Sequence, residues 1–254
     1  MPDHFIEFRQ VCKSFDGLAV LDNVSFYVDP GETCVILGRS GVGKSVTLKH
    51  ILGFLKPDSG EVWVGGQEIT GWDEQQLSEI RRRVAMVFQS GALFDSLSVW
   101  DNVAFPLESR AILPAGVIDR RVWELLELLE VAEYANRLPA GLSTDVKRAV
   151  AIARALAQEP DAILYDEPTT MVDPIMAGHV SELIRKLKES LHRTSVVVTH
   201  DTHLAKKLAD RVVFLQEGRV AFFGPWADFE SSPEPFLRNF LLQDALIPAL
   251  DVTI

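Results

Sequence analysis

Apolar and polar positions follow three different rhythms along this chain. Residues 5–9 and 24–28 alternate apolar and polar side chains, with turn residues between them, and predict short antiparallel strands. A further strand at 61–64 is bracketed by Pro57, Asp58, Ser59 and Gly60 on one side and by Gly65 and Gly66 on the other, which is hairpin punctuation. Between these lie the wholly apolar Val35, Ile36 and Leu37, a buried strand, and an amphipathic helix at 46–52. The rhythm then changes to helical spacing at 72–82 and 117–138. In the second stretch Val122, Leu125, Leu126 and Leu129 share a face, and Glu124, Glu127 and Glu130 form a solvated one. From 144 onward helices (144–157, 174–191, 203–209) alternate with strands (162–165, 195–199, 211–216), an order that implies a parallel sheet. The expected fold class is therefore α/β: a parallel-sheet core over 1–224, with an antiparallel β edge near the N-terminus and a helical insertion at about 90–158. Residues 225–254 hold Pro233, Pro235 and Pro248 and read as a C-terminal extension, one short helix in irregular chain.

The junction between strand 35–37 and helix 46–52 carries the first chemistry. Gly38, Arg39, Ser40, Gly41, Val42, Gly43, Lys44 and Ser45 match the GxxxxGK[ST] phosphate loop in the strand-then-helix context that the motif requires. Gly41 and Gly43 permit backbone conformations in which successive N–H groups point at an anion, and the helix N-terminus adds its dipole. Lys44 would meet the β and γ phosphates, and Ser45 would offer its hydroxyl to Mg2+. The ligand that this pattern implies is a nucleoside triphosphate with magnesium.

Composition narrows the setting. A chain of 254 residues with 47% hydrophobic content supplies one large core, and no apolar run reaches the roughly 18 residues that a membrane span needs. Residues 1–10 lack a basic-then-apolar signal pattern, so a cytosolic protein is expected. Cys12 and Cys34 have no zinc spacing, and a disulfide is not expected in that compartment. The net charge of -11 argues against nucleic acid as a partner. Arg81, Arg82 and Arg83 read as the solvated end of a helix.

Two strand ends complete the set. Strand 162–165 runs into Asp166 and Glu167, placed to hold Mg2+ and to act as the base or orienter for an attacking water. Strand 195–199 runs into His200, whose imidazole could contact both the γ phosphate and Glu167. His200 and His203, three apart, are weaker than an HExxH pair and are not read as metal ligands.

With these residues in place, the chain resembles the nucleotide-binding subunits of ABC transporters over nearly its whole length. The resemblance implies a P-loop NTPase core of the ABC ATPase kind that binds ATP and Mg2+, with Val46 closing the loop's ATP-binding set and Phe15 set against adenine. It implies that Gln89 is the Q-loop residue at the metal, that Asp173 is the D-loop aspartate, and that His200 is the switch histidine. Leu142 and Ser143 open the signature segment, which closes over ATP bound to a second ATPase subunit. Soluble relatives in translation or DNA repair would need tandem cassettes or a long coiled coil.

A narrower stretch, Phe88, Gln89, Ser90, Gly91, Ala92, Leu93 and Phe94, continuing through Asp101, Asn102, Val103, Ala104, Phe105, Pro106 and Leu107, resembles the ATPases of the Mla and Ttg2A type. Those serve MCE-linked systems that move phospholipids or other hydrophobic molecules. This implies a peripheral place on the cytoplasmic face of the inner membrane, an integral membrane permease against residues 90–110, MCE-type envelope partners, and a dimer-crossing segment at 233–242. One departure stands out. Where the family has Leu-Ser-Gly-Gly, this chain has Leu142, Ser143, Thr144 and Asp145. Two unit charges about 4 Å apart at an effective dielectric near 20 repel by roughly 4 kcal/mol, and a helix dipole offsets only ~0.3–1 kcal/mol. Three readings follow: a working ATPase subunit with Asp145 turned to solvent, one half of a heterodimer whose other subunit carries an intact signature, and a non-hydrolysing regulatory module.

Overall fold

The computed structural model describes residues 4–109 and 113–245. It contains two sheets. β1 (Ile6–Phe15), β2 (Leu18–Val28), β4 (Ser59–Val64) and β5 (Gln67–Glu68) make an antiparallel sheet in the order β2-β1-β4-β5. The second sheet runs β10-β9-β3-β8-β7-β6 and is built from β3 (Thr33–Leu37), β6 (Val84–Val87), β7 (Ala162–Asp166), β8 (Thr194–Thr199), β9 (Arg211–Gln216) and β10 (Arg219–Pro225). Its strands are parallel except β10, which pairs antiparallel with β9.

β3 and β8 are buried along their whole length, as expected for parallel strands covered on both faces. Their alternate residues divide two cores. Cys34, Ile36, Val196 and Val198 pack with α1 (Lys44–Ile51), α2 (Glu74–Arg83) and the antiparallel sheet. Val35, Leu37 and Val197 face the helices α3 (Val99–Glu108), α4 (Ala115–Leu128), α5 (Thr144–Ala157), α6 (Pro174–Leu191) and α7 (Thr202–Leu208). Cys34 lies in the first core, where burial pushes its thiol far above the ordinary range, and both cysteines are free.

Register decides where the loops emerge. Leu37 pairs with Thr199, and Asp166 pairs with Val198. The residues that follow these three strands therefore leave the sheet at one edge. That is where ligands bind in open parallel sheets.

The expected elements form, with four corrections. The helix expected over 117–138 stops at Leu128, because Glu130 takes a left-handed backbone (φ 58) and the chain folds back through short 3-10 turns at Ala132–Tyr134 and Pro139–Gly141. The first strand runs past 9 to Phe15, through a bulge at Gln10 (φ 50) that breaks the alternation. β6 and α3 were not foreseen as elements, nor was β10, although Glu217 and Gly218 (φ 50 and 76) form the hairpin turn that creates it. The arginine run is more than a solvated end: Arg83 reaches Asp161 at 2.7 Å and ties α2 to the start of β7.

Within the helical insertion, Asn102 is buried and uses its whole amide. It accepts from Phe94 N and donates to the carbonyls of Phe94, Leu97 and Ser98 at 2.9–3.1 Å. The extension after β10 forms α8 (Trp226–Glu230) and α9 (Pro235–Ala245), with Leu237 buried and Phe236 and Phe240 packed on Phe214 of the same chain. The rest of the extension, 246–254, lies outside the described residues, as does residue 110 of the stretch expected to meet a permease. Replacing Asn102 by Ala leaves Phe94 N and the Leu97 carbonyl without their partner, while the carbonyls of Phe94 and Ser98 keep the backbone donors Leu97 N and Asn102 N. Urea denaturation should register a loss of about 1–3 kcal/mol.

Candidate nucleotide site

Three glycines shape the loop after β3, for two different reasons. Gly41 (φ 81) has open space around it and needs only its backbone freedom. Gly38 and Gly43 are also pressed by neighbours: a Cβ on Gly38 would meet Leu215 O at 2.6 Å, and one on Gly43 would meet Val20 O at 2.9 Å. The backbone thereby turns tightly into α1, whose first residue is Lys44.

Lys44 is almost wholly buried, and its Nζ donates to Gly38 O (2.9 Å) and Arg39 O (3.1 Å). Its third neighbour is Glu167 Oε1 at 3.2 Å. The other carboxylate oxygen, Oε2, accepts from His200 Nδ1 and from the Thr170 hydroxyl, both at 2.9 Å. Burial alone would raise the Glu167 pKa. The His200 hydrogen bond, the Lys44 charge and the Thr170 hydroxyl outweigh it and hold the carboxyl below its usual range. Glu167 is thus an ionised carboxylate in a half-buried place, able to take a proton. Asp166 shifts the opposite way: burial and the adjacent Glu167 charge raise it, against the Ser45 hydroxyl, which donates to its Oδ1 at 2.8 Å.

Most of these groups line one cleft of about 540 Å³; Gly38, Val42 and Asp166 are not among its lining residues. Arg39, Ser40, Gly41, Gly43, Lys44, Ser45 and Val46 form its floor, and Gln89, Glu167, Thr170 and His200 its walls. Val20, Thr170 and Phe240 were not foreseen there. Val20 lies in a segment without a motif, Thr170 lies between Glu167 and Asp173 in the D-loop segment but was given no role, and Phe240 arrives from the far end of the chain. Phe15 does not line the cleft; it lies at the end of β1, half exposed beneath Lys13 Nζ at 5.5 Å from the ring.

The signature segment and Asp173 lie outside the cleft as well. Ser143 is the N-cap of α5, with Thr144 exposed and Asp145 in the first turn. The reading in which Asp145 turns to solvent is corrected in part, because the residue is only partly exposed. Its Oδ1 is buried and has no hydrogen-bond partner among the described residues. Asp173 caps α6, accepting from Ile175 N and Met176 N, beside the highly exposed Met171.

Known proteins share this arrangement. The family profile described as ABC transporter matches residues 21–170. The intermembrane phospholipid transport system ATP-binding protein MlaF of Escherichia coli K12 is 36% identical over 96% of this chain and 92% of its own length. This chain belongs to the ABC transporter family. It is an ATP-binding subunit of the ABC type. The methionine import ATP-binding protein MetN of Carboxydothermus hydrogenoformans is 40% identical over 87% of this chain and 66% of its own length. Among solved structures, the dimeric post-hydrolysis ATP-binding cassette MJ0796 bound to ADP and Pi superposes with a TM-score of 0.79 at 33% identity, covering 87% of this chain and 98% of that one. Among the described residues, no helix is long and apolar enough to cross a membrane.

The crowding at Gly43 gives the ABC loop a direct test. Gly43→Ala forces a side chain against Val20 O at φ 107, and equilibrium binding should report a Kd for ATP raised roughly 10-fold or more.

Proposed function

We propose that this chain hydrolyses ATP as one of two ATPase subunits that drive phospholipid, or another hydrophobic substrate, through a separate membrane permease. The observation that carries the lipid reading is likeness at nearly full length to MlaF, with 96% of this chain and 92% of that protein aligned. The methionine importer is matched over only 66% of its length.

In this reading, Glu167 takes a proton from the attacking water while His200 and Thr170 hold its carboxylate in place. Lys44 leaves Glu167 for the incoming phosphate, which exchanges one anionic partner for another and frees Oε1 for the water. Ser45, Asp166 and Gln89 would hold Mg2+. Hydroxyl, carboxylate and amide oxygens suit that hard cation, and the raised pKa of Asp166 suits a carboxylate awaiting one. When bound, the ion would offset charge on the phosphate oxygens. Phe15 would border adenine, and Asp173 would face the second subunit beside Ser143, Thr144 and Asp145.

Four half-exposed phenylalanines, Phe54, Phe88, Phe94 and Phe105, gather along a groove of about 1110 Å³, with the guanidinium of Arg154 over Phe94. Exposed apolar surface of this extent suits a protein partner, and 90–110 supplies two of the rings. A permease seated there would place the chain on the cytoplasmic face of the membrane, with MCE-type proteins further out. The segment 233–242, docked on its own domain here, would lie near the second subunit.

Asp145 favours one other reading. A carboxylate in the signature repels the partner's triphosphate, so this chain could instead pair with a subunit whose signature is intact. Glu167→Gln should abolish phosphate release by the purified chain with Mg-ATP. Release restored only by adding a second subunit would favour the heterodimer, and ATP binding without hydrolysis in every reconstituted complex would leave a regulatory module. Thr144→Gly combined with Asp145→Gly should raise turnover; no gain would refute the obstruction argument.

A further inference from the structure

Arg148 is a buried cation whose partners are not acids. It lies on α5 one turn beyond Asp145, only 3% exposed, and no carboxylate among the described residues comes within ion-pair distance. Burial lowers its pKa. The guanidinium is instead spent on backbone: Nη1 donates to Glu167 O at 3.0 Å and to Pro168 O, and Nη2 donates to Thr170 O. Desolvating a cation without a counter-ion costs several kcal/mol unless its donors are used. Here Nη1 and Nη2 grip one short loop, while Nε is buried with no hydrogen-bond partner among the described residues.

That loop is the one carrying the catalytic carboxylate. Glu167 and Met171 both adopt left-handed backbones (φ 48 and 60), which non-glycine residues rarely take without outside support. Besides Arg148, the support comes from Glu167 N bonded to Val198 O and from the Thr169 hydroxyl on Asp201 Oδ2 at 3.0 Å. Those contacts anchor the loop to β8 and to the residue after His200. Among the described residues, Arg148 is the α5 side chain that hydrogen-bonds this loop, and the first turn of α5 holds Thr144 and Asp145. Four helical residues are a stiff spacer of about 6 Å. A displacement of the α5 N-terminus is therefore delivered to the carbonyls of 167, 168 and 170.

We propose that Arg148 is a positioning residue that couples the signature helix to Glu167, so that closure of α5 on the second subunit's nucleotide seats this chain's own catalytic carboxylate. The inference rests on the proposed reading of Glu167 and of the shared site. A lysine at 148 keeps the charge but loses the planar fork that spans three carbonyls.

The test compares Arg148→Lys and Arg148→Ala with the wild-type chain, in whichever assembly the wild type turns over ATP, by steady-state kinetics, ATP binding and thermal unfolding. Arg148→Lys should retain its fold and its Kd for ATP while kcat falls roughly 10- to 100-fold, the cost of misplacing a catalytic group by about an ångström. Millimolar guanidinium should restore part of the turnover of Arg148→Ala. Wild-type kcat in Arg148→Lys would overturn the proposal. So would parallel loss of kcat and ATP affinity, or failure of guanidinium to rescue a folded Arg148→Ala. Absence of turnover in the wild-type assembly would instead remove the reading of Glu167 on which the proposal stands.

Discussion

Three parallel strands ending level with one another are the constraint on which the site depends. Leu37 opposite Thr199 and Asp166 opposite Val198 fix where the phosphate loop, the Asp166–Glu167 pair and His200 leave the sheet. The strands are apolar at their centres because α3–α7 cover one face and α1, α2 and the antiparallel sheet cover the other. A one-residue slip between them would exchange the two cores. Packing and catalytic geometry are therefore set by the same register.

The charges placed at that edge hold each other in readiness. Lys44 would be an unpaired buried ammonium without Glu167 and the carbonyls of Gly38 and Arg39, and Glu167 would be an unpaired buried carboxylate without Lys44, His200 and Thr170. In the proposed reading a triphosphate would offer Lys44 a stronger anion, and its arrival would free one oxygen of Glu167. Binding and preparation for hydrolysis would then be one rearrangement of existing contacts. The pKa of Asp166 shifts the other way from that of Glu167, raised by burial and by its neighbour's charge against the hydroxyl of Ser45.

Much of this was legible in the sequence because it is local. The loop at 38–45 declares itself through glycine spacing between a strand and a helix, and Asp166, Glu167 and His200 through apolar runs that end in polar residues. What was not legible depends on long-range geometry. Arg148 belongs to no motif read from the sequence, and its three carbonyl partners lie 19, 20 and 22 residues away. Phe240 reaches the cleft from α9, more than 190 residues after the loop that it faces. Asp145 was expected to face solvent, yet half its carboxylate is buried, since the orientation of a first-turn side chain is set by what packs beside it. The helix expected to 138 ended early because the left-handed Glu130 overrides an apolar period.

These contacts build only one half of a nucleotide site, with Ser143 and Thr144 exposed and outside their own cleft. The most direct test is sedimentation of the purified Glu167→Gln chain with and without Mg-ATP. The account predicts a monomer without nucleotide and a dimer holding two ATP molecules with it. A chain that binds ATP and remains monomeric at every accessible concentration would contradict it.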